Sequence, residues 1–255
     1  MEVVDFGEAF EEAHGDLEFS HTKVILQKNF EYFYAITTQR CRCASDIDPS
    51  TLDCIAIPSS RILPVFPAGY TRVSESLPSD CYVKRPALLC YGDTPASSEP
   101  STLLLREAQT CEVLRRHPHT NIAKYLGCLV DDNGRIAGLC FVKYGPNLMQ
   151  LVRSDRQFDR RACLTAIRGA VKHLHKLGLV HGDLTTYNIL SNGEDFVIGD
   201  FDSCTPEGKE FELKTGTKGW TKGDSKIARC ATDWYGVSKI GKFLFPSKVS
   251  NNCSV

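Results

Sequence analysis

The sequence lacks several features that would assign a protein to a class by composition alone. Its 30 basic and 31 acidic residues leave a formal net charge of -1, so no chain-wide positive field attracts nucleic acid or anionic lipid. No apolar stretch approaches the roughly 18 residues of a membrane span, and the N-terminus is acidic where a secretion signal needs a basic start. We therefore expect a cytoplasmic or nuclear protein that is not secreted and has no nucleic-acid or membrane partner.

The cysteine pattern that would indicate a zinc site is also missing. The chain has 12 cysteines, but they are scattered from Cys41 to Cys253 and no two of them form a C-x-x-C pair. We expect reduced thiols, most of them buried.

The order of predicted elements favours a two-lobed α+β protein. At 255 residues and 42% hydrophobic, the chain can bury one core or two modest lobes. Residues 22–37 are rich in β-branched and aromatic residues around a polar centre, which predicts two strands and a turn. Apolar residues at helical spacing predict one helix that ends near His117 and a second over Arg160–Lys176. Two apolar runs around residues 132–134 predict a hairpin.

The segment LVHGDLTTYNILSNGEDFVIGDFDSC, residues 179–204, contains the pattern most typical of a catalytic site. A short apolar strand precedes Asp183, Asn188 follows five residues later, and a further hydrophobic run ends at Asp200. Asp183 is suited to orient or deprotonate an attacking hydroxyl, while Asn188 and Asp200 offer oxygen ligands to Mg²⁺ ions that bridge phosphates. The alternative is a polar turn with two solvated carboxylates.

The tetrapeptide His-Gly-Asp-Leu, which contains Asp183, also occurs at residues 14–17. The tetrapeptide alone therefore does not identify a catalytic site. In that copy His21 stands at the position of Asn188, and no strand that ends in an aspartate follows. We expect no catalytic role for Asp16.

Residues 179–204 resemble the catalytic and metal-binding loops of the protein-kinase-like superfamily, and residues 81–246 extend the resemblance. Lys84, in CYVKRP, resembles the strand lysine that holds the α- and β-phosphates of ATP, and Glu107 resembles its ion-pair partner on the αC helix. The sequences CYVKRP, LCFVKY and DFDSC are similar to segments of kinase-like proteins abundant in filamentous fungi.

Two further segments resemble the parts of a kinase that bind adenine and hold the catalytic loop. Lys143 and Gly145, in FVKYGPNL, resemble hinge residues that present backbone groups to adenine, with Leu190 beneath the base. ATDWYGVSKIGKFLF resembles the αF helix, and the resemblance implies that Asp233 anchors the catalytic-loop backbone.

Several positions depart from the kinase pattern. No glycine occurs between Gly15 and Gly69, so no G-x-G-x-x-G loop is present to cover the phosphates. Tyr82 stands where kinases keep a small residue against adenine, which is a steric objection to ATP. Gly182 replaces the arginine that binds an activation-loop phosphate in kinases, and Thr185 replaces a lysine near the γ-phosphate.

We predict one two-lobed, α+β kinase-like domain with an N-lobe of residues 1–143 and a truncated C-lobe of residues 144–255. It would transfer the γ-phosphoryl group of ATP to a hydroxyl acceptor, preferably on a protein, with ATP and Mg²⁺ as cofactors. Two alternatives remain, a small-molecule kinase of the aminoglycoside or choline type and a pseudokinase that binds without turnover. The resemblance assigns catalysis to Asp183, Lys84 and Glu107, nucleotide binding to Lys84, Lys143, Gly145 and Leu190, and metal binding to Asn188 and Asp200.

Overall fold

The computed structural model describes residues 1–74, 77–94, 97, 99–154, 156–193, 195–211, 216–221 and 226–246. The chain divides into two compact units. Unit 1 comprises Met1–Leu77, Val83–Arg106 and Gly127–Cys140, and unit 2 comprises Pro78–Tyr82, Glu107–Leu126 and Phe141–Val255. The lobe boundary at residue 143 stays a prediction.

Unit 1 contains a four-stranded antiparallel sheet. Its strands are β1 (Glu2–Ala13), β2 (Asp16–Lys28), β3 (Glu31–Thr37) and β4 (Ile55–Ile57), in the order β1-β2-β3-β4. The two strands predicted within residues 22–37 correspond to the second half of β2 and to the whole of β3. Strand β1 was not predicted. The β1–β2 turn contains His14 and Gly15, at φ 55° and 88°, the left-handed values that a tight two-residue hairpin requires. The first His-Gly-Asp-Leu copy is therefore an exposed hairpin turn.

Apolar side chains cover both faces of this sheet because successive residues of a strand point in opposite directions. Val24 and Leu26 of β2 lie in one buried cluster, and Ile25 lies in another. The stretch that follows β3 contains short elements: β4, the single-turn helix α1 (Ser59–Ile62), and 3-10 turns at Ala44–Asp46 and Pro49–Thr51.

A three-stranded sheet consists of β5 (Cys81–Lys84), β6 (Tyr125–Val130) and β7 (Ile136–Val142), in the order β5-β7-β6, and helix α2 spans Pro100–Arg116. The strands β6 and β7 form the predicted hairpin. Its turn is closed by the buried Asp131, whose Oδ1 accepts the N–H groups of Asn133 at 3.0 Å and Arg135 at 2.8 Å.

Unit 2 contains helices α3 (Leu148–Arg153), α4 (Arg160–Lys176) and α5 (Cys230–Leu244) and two short strand pairs. Strand β8 (Leu179–Val180) pairs with β11 (Thr205–Pro206), and β9 (Ile189–Ser191) pairs with β10 (Phe196–Ile198). The bounds of α4 are those predicted, and Asp159 caps its first turn through the N–H groups of Arg161 and Ala162. Helix α4 packs against α5, β8 and β10 with its buried stripe, which consists of Cys163, Ile167, Ala170, Val171 and Leu174.

Every cysteine within the described ranges is a free thiol, and the reduced state of these thiols in the cell stays a prediction. Most are buried or partly buried, and Cys43 and Cys90 are exposed. Burial raises the pKa of Cys163 to about 12, so this thiol is inert at neutral pH. Within the same ranges, no helix has the length and apolar character needed to cross a membrane.

Candidate catalytic site

Helix α5 fixes the backbone just before Asp183. Asp233, in the first turn of α5, has a fully buried carboxylate that accepts the N–H groups of His181 at 2.9 Å and Gly182 at 3.0 Å. Oδ2 of Asp233 also lies 2.8 Å from Nε2 of His175, on α4. The hydrogen bonds that the resemblance implied for Asp233 are therefore present.

His181 supports the loop and is not placed for proton transfer. The ring is fully buried, with Nε2 3.1 Å from the carbonyl oxygen of Gly199 and Nδ1 3.3 Å from the backbone nitrogen of Asp183. A ring nitrogen that faces a carbonyl must donate and one that faces an N–H must accept, so these partners assign a neutral ring with its proton on Nε2. His181 thereby links the loop of Asp183 to the turn that precedes Asp200.

The two carboxylate oxygens of Asp183 have different surroundings. Oδ1 accepts the backbone N–H of Thr217 at 2.8 Å, whereas Oδ2 lies 3.5 Å from Nδ2 of Asn188. The same Nδ2 donates a shorter bond, 2.8 Å, to the backbone carbonyl of Asp183. Because the amide nitrogen of Asn188 is held in this way, its Oδ1 is the atom that it can offer to a metal ion.

Asp200 has an unusual backbone conformation. Its φ is 62°, a left-handed value that is costly for a residue other than glycine. The other non-glycine residues with positive φ in the described ranges are His14 and Asn29, which lie in hairpin turns. Asp200 is not in a hairpin turn, so the structure around it must impose this conformation.

Hydrogen bonds on both sides hold Asp200 in place. The N–H of Gly199 donates to the carbonyl oxygen of Asn188 at 2.9 Å, and the N–H of Phe201 donates to Oε1 of Glu107 at 3.1 Å. Glu107 is only 2% exposed, so it is not a solvated helix residue. Glu107, which is predicted to be catalytic, thus contacts the backbone N–H of the residue that follows Asp200, a predicted metal ligand.

Lys84 is the last residue of β5 and is partly buried. It belongs to unit 1, whereas Glu107, Asp183, Asn188 and Asp200 belong to unit 2. The Lys84–Glu107 ion pair and the contact of Lys84 with phosphates stay predictions.

Within the predicted hinge, the backbone N–H groups of Lys143 and Gly145 already have acceptors. That of Lys143 donates to the carbonyl oxygen of Asp80 at 2.7 Å, and that of Gly145 donates to the carbonyl oxygen of Ser191 at 2.6 Å. Leu190, which precedes Ser191, is partly buried. An adenine that accepts the Gly145 N–H would have to displace the carbonyl oxygen of Ser191, and the assignment of these residues to adenine stays a prediction.

Two of the departures from the kinase pattern have local physical reasons. Gly182 has φ 81°, and a Cβ atom there would lie 2.6 Å from the ring of Phe211 and 3.0 Å from the carbonyl oxygen of Ser203. No arginine fits at that position. Thr185 is buried, and its hydroxyl accepts the N–H of Tyr187 at 3.2 Å, so it serves the loop itself.

Within the described ranges, no group of three or more His, Cys, Asp or Glu side chains is arranged to hold a metal ion. Magnesium needs no such cage, because it commonly uses one or two protein oxygens and completes its shell with phosphates and water. Asn188 and Asp200 offer oxygen donors of the kind that Mg²⁺ prefers.

Three comparisons show which known proteins this chain is similar to. A family model described as "RIO domain" matches residues 139–210, which includes Asp183, Asn188 and Asp200. The putative tyrosine-protein kinase C03B1.5 of Caenorhabditis elegans is 29% identical over 102 residues, which cover 38% of this chain and 31% of that protein. The crystal structure of the yeast RNA Pol II CTD kinase CTDK-1 complex contains a chain that is 17% identical, with a TM-score of 0.48, and the similarity covers 56% of this chain and 50% of that one.

The first two matches show that part of this chain is similar to kinase-like proteins. The mixed α+β fold, with a β-rich N-terminal part and few helices, confirms the predicted fold class. The matched part of this chain spans 31% of the length of the Caenorhabditis elegans relative. Similarity to fungal kinase-like proteins stays a prediction.

Sequence reasoning missed two partners in the site. Nothing in the sequence indicated that the backbone of Thr217 contacts Asp183, because every residue except proline carries the same N–H donor. The contact between His175 and Asp233 was also missed, since the two residues are 58 positions apart. Thr215, which directly precedes Gly216 in the sequence, lies outside the described residues.

Proposed function

We propose that this chain is an ATP-dependent phosphotransferase that moves the γ-phosphoryl group to a hydroxyl acceptor, preferably on a protein. The observation that carries the proposal is the placement of Asp183. One of its oxygens is fixed by the Thr217 N–H, and Asn188 is bonded to its backbone. The preceding backbone is fixed by Asp233, which lies on a distant helix.

In the proposed reaction, Oδ2 of Asp183 accepts the proton of the acceptor hydroxyl as the hydroxyl oxygen bonds to the γ-phosphorus. The bond from that phosphorus to the oxygen bridging the β- and γ-phosphates breaks, and ADP leaves. Asn188 and Asp200 would hold magnesium, which neutralises charge on the phosphates when bound. Asp200 needs a fixed position for this role, and the bonds to its two neighbours supply it.

A protein acceptor is preferred to a small molecule for two reasons. Helices α2 and α5 are present at the positions that resemble the αC and αF helices of protein kinases. The curated relative also carries the name of a putative tyrosine-protein kinase. A small-molecule kinase remains the alternative that an acceptor screen would reveal.

The competing function is a pseudokinase that binds a partner without turnover. The engaged N–H of Gly145, the absence of a glycine-rich loop and the buried hydroxyl of Thr185 favour it. The retained Asp183, Asn188 and Asp200 favour activity, because a scaffold has no chemical need for all three.

Nucleotide binding and phosphoryl transfer, measured on the same preparation, test the proposal. Calorimetry with ATP, with and without Mg²⁺, should show metal-dependent binding. Transfer from labelled ATP should then occur to at least one member of a panel that contains protein substrates, an aminoglycoside and choline. Binding without transfer to any acceptor would favour the pseudokinase, and absence of both would refute the proposal.

A further inference from the structure

Residues 216–221 approach the loop of Asp183 at two points. Gly216 lies so close to the carbonyl oxygen of Gly182 that a Cβ atom at Gly216 would overlap it. The next residue, Thr217, donates its backbone N–H to Oδ1 of Asp183 at 2.8 Å. The orientation of the Asp183 carboxylate therefore depends on where this short segment lies.

A turn gives the segment its local shape. The N–H of Trp220 donates to the carbonyl oxygen of Thr217 at 2.9 Å, so residues 217–220 form a closed turn. The residue that begins the turn is the one that contacts Asp183. A contact that holds the end of this turn therefore also restrains Thr217 and its hydrogen bond to Asp183.

Lys239, on α5, holds the end of that turn. Its Nζ donates to the carbonyl oxygen of Gly219. The same ammonium lies 5.6 Å from the ring centroid of Trp220 and 5.9 Å from that of Tyr235, both within the range of a cation–π interaction. These contacts tie residues 217–220 to a regular helix.

Helix α5 thus acts on Asp183 by two routes. Asp233, six residues before Lys239 on the same helix, fixes the backbone of His181 and Gly182. Lys239 fixes the turn whose first N–H holds the side chain. One rigid element sets both the backbone and the carboxylate of the candidate catalytic residue.

We propose that Lys239 is a positioning residue: it holds the 217–220 turn so that the Thr217 N–H fixes Oδ1 of Asp183 and leaves Oδ2 for the acceptor hydroxyl. The catalytic half of this inference rests on the proposed function, whereas the structural half does not. A base held in one orientation avoids the loss in rate that a displacement of about 1 Å can cause, which reaches roughly 10²-fold.

Hydrogen exchange tests the structural half without any need for activity. The Thr217 amide should exchange about 10-fold or more faster in Lys239→Met than in the parent, because the turn that keeps it on Asp183 is released. Lys242→Met is the matched control, since Lys242 is an exposed lysine on the same helix and its change removes the same charge. Lys239→Arg should restore much of the protection. Unchanged exchange in Lys239→Met would overturn the proposal whatever the activity.

Kinetics test the catalytic half. Lys239→Met should lower kcat by roughly 10- to 10²-fold, with little change in the binding of Mg²⁺-ATP, and Lys239→Arg should recover part of the rate. Faster exchange with an unchanged kcat would overturn the positioning role. No transfer by the parent would refute the proposed function and the catalytic half with it, while hydrogen exchange would still decide whether Lys239 holds the turn.

Discussion

Asp233 accepts the backbone N–H of His181 at 2.9 Å although 52 residues separate them. The contact makes α5 part of the candidate site, even though this helix lies outside the matched residues 139–210. The loop that carries Asp183 is therefore a product of tertiary structure. Its shape depends on a carboxylate delivered from a helix much later in the chain.

Replacing Asp233 should be among the most destabilising single changes in unit 2. Asp233→Ala removes the acceptor for two buried N–H groups and the partner of His175, and it should lower the free energy of unfolding by about 3 kcal/mol. Urea denaturation measures this directly. Asp53→Ala, at an exposed position, is the control and should change stability by no more than about 0.5 kcal/mol. Equal effects of the two changes would show that Asp233 does not anchor the loop.

Replacing Tyr82 should strengthen nucleotide binding. Tyr82 is 54% exposed, so Tyr82→Ala removes a ring from the proposed adenine position at a cost in stability of about 1 kcal/mol or less. Calorimetry should show higher affinity for Mg²⁺-ATP in Tyr82→Ala, and Tyr82→Phe should bind like the parent because it keeps the ring. If the alanine variant has unaltered affinity, Tyr82 does not obstruct adenine.

The absence of a glycine-rich loop should make ATP binding weak. The backbone N–H groups of such a loop normally cradle the phosphates, and no glycine lies between Gly15 and Gly69 to build one. We expect the dissociation constant for Mg²⁺-ATP to lie closer to 1 mM than to 1 μM, the approximate limits of the range common for enzyme substrates. A tight complex that forms equally well without metal would contradict this expectation.

The reactivity of Cys230 should depend steeply on pH. Burial, and then a hydrogen bond with Glu207, raises the pKa of Cys230 to about 11. Only the thiolate reacts with iodoacetamide, so the alkylation rate should rise about tenfold per pH unit between roughly pH 7 and 10. Glu207→Gln should lower this pKa and speed alkylation of Cys230 at pH 8, while the rate at the exposed Cys43 stays the same. A slower reaction in the variant would contradict the role assigned to Glu207.

Regular elements were predictable where the sequence carries a strong periodic signal. The α4 bounds, the β6–β7 hairpin and the strands within residues 22–37 all agree with their apolar spacing and turn residues. Strand β1 was missed because its sequence, EVVDFGEAFEEA, contains five acidic residues and reads as a solvated segment. Strand β1 is stabilised by its pairing with β2, and the residue pattern within β1 does not show this pairing.

The candidate site was predictable in composition but not in its supporting contacts. The spacing of Asp183, Asn188 and Asp200 marks a single loop-strand frame, which the structure contains. The support from Thr217 and Lys239 depends on a backbone amide and a carbonyl oxygen, and neither has a signature in residue type. Long-range contacts of this kind require the fold to be known.

Asp183→Asn and Asp200→Asn should impair phosphoryl transfer in different ways. Asp200 is assigned to magnesium in the ground state, so Asp200→Asn should weaken Mg²⁺-dependent ATP binding. Asp183 is assigned to the acceptor hydroxyl, so Asp183→Asn should bind Mg²⁺-ATP like the parent. Its rate of phosphoryl transfer should fall by roughly 10² to 10⁴-fold, the contribution typical of a positioned acid or base.

The single measurement that decides is the rate of phosphoryl transfer by Asp183→Asn at saturating Mg²⁺-ATP, relative to the parent. If Asp183 acts on the acceptor hydroxyl, this rate should fall by at least about 10²-fold while nucleotide binding is retained. A rate equal to that of the parent, or no transfer by the parent to any hydroxyl acceptor, would contradict the assignment of Asp183 as catalytic.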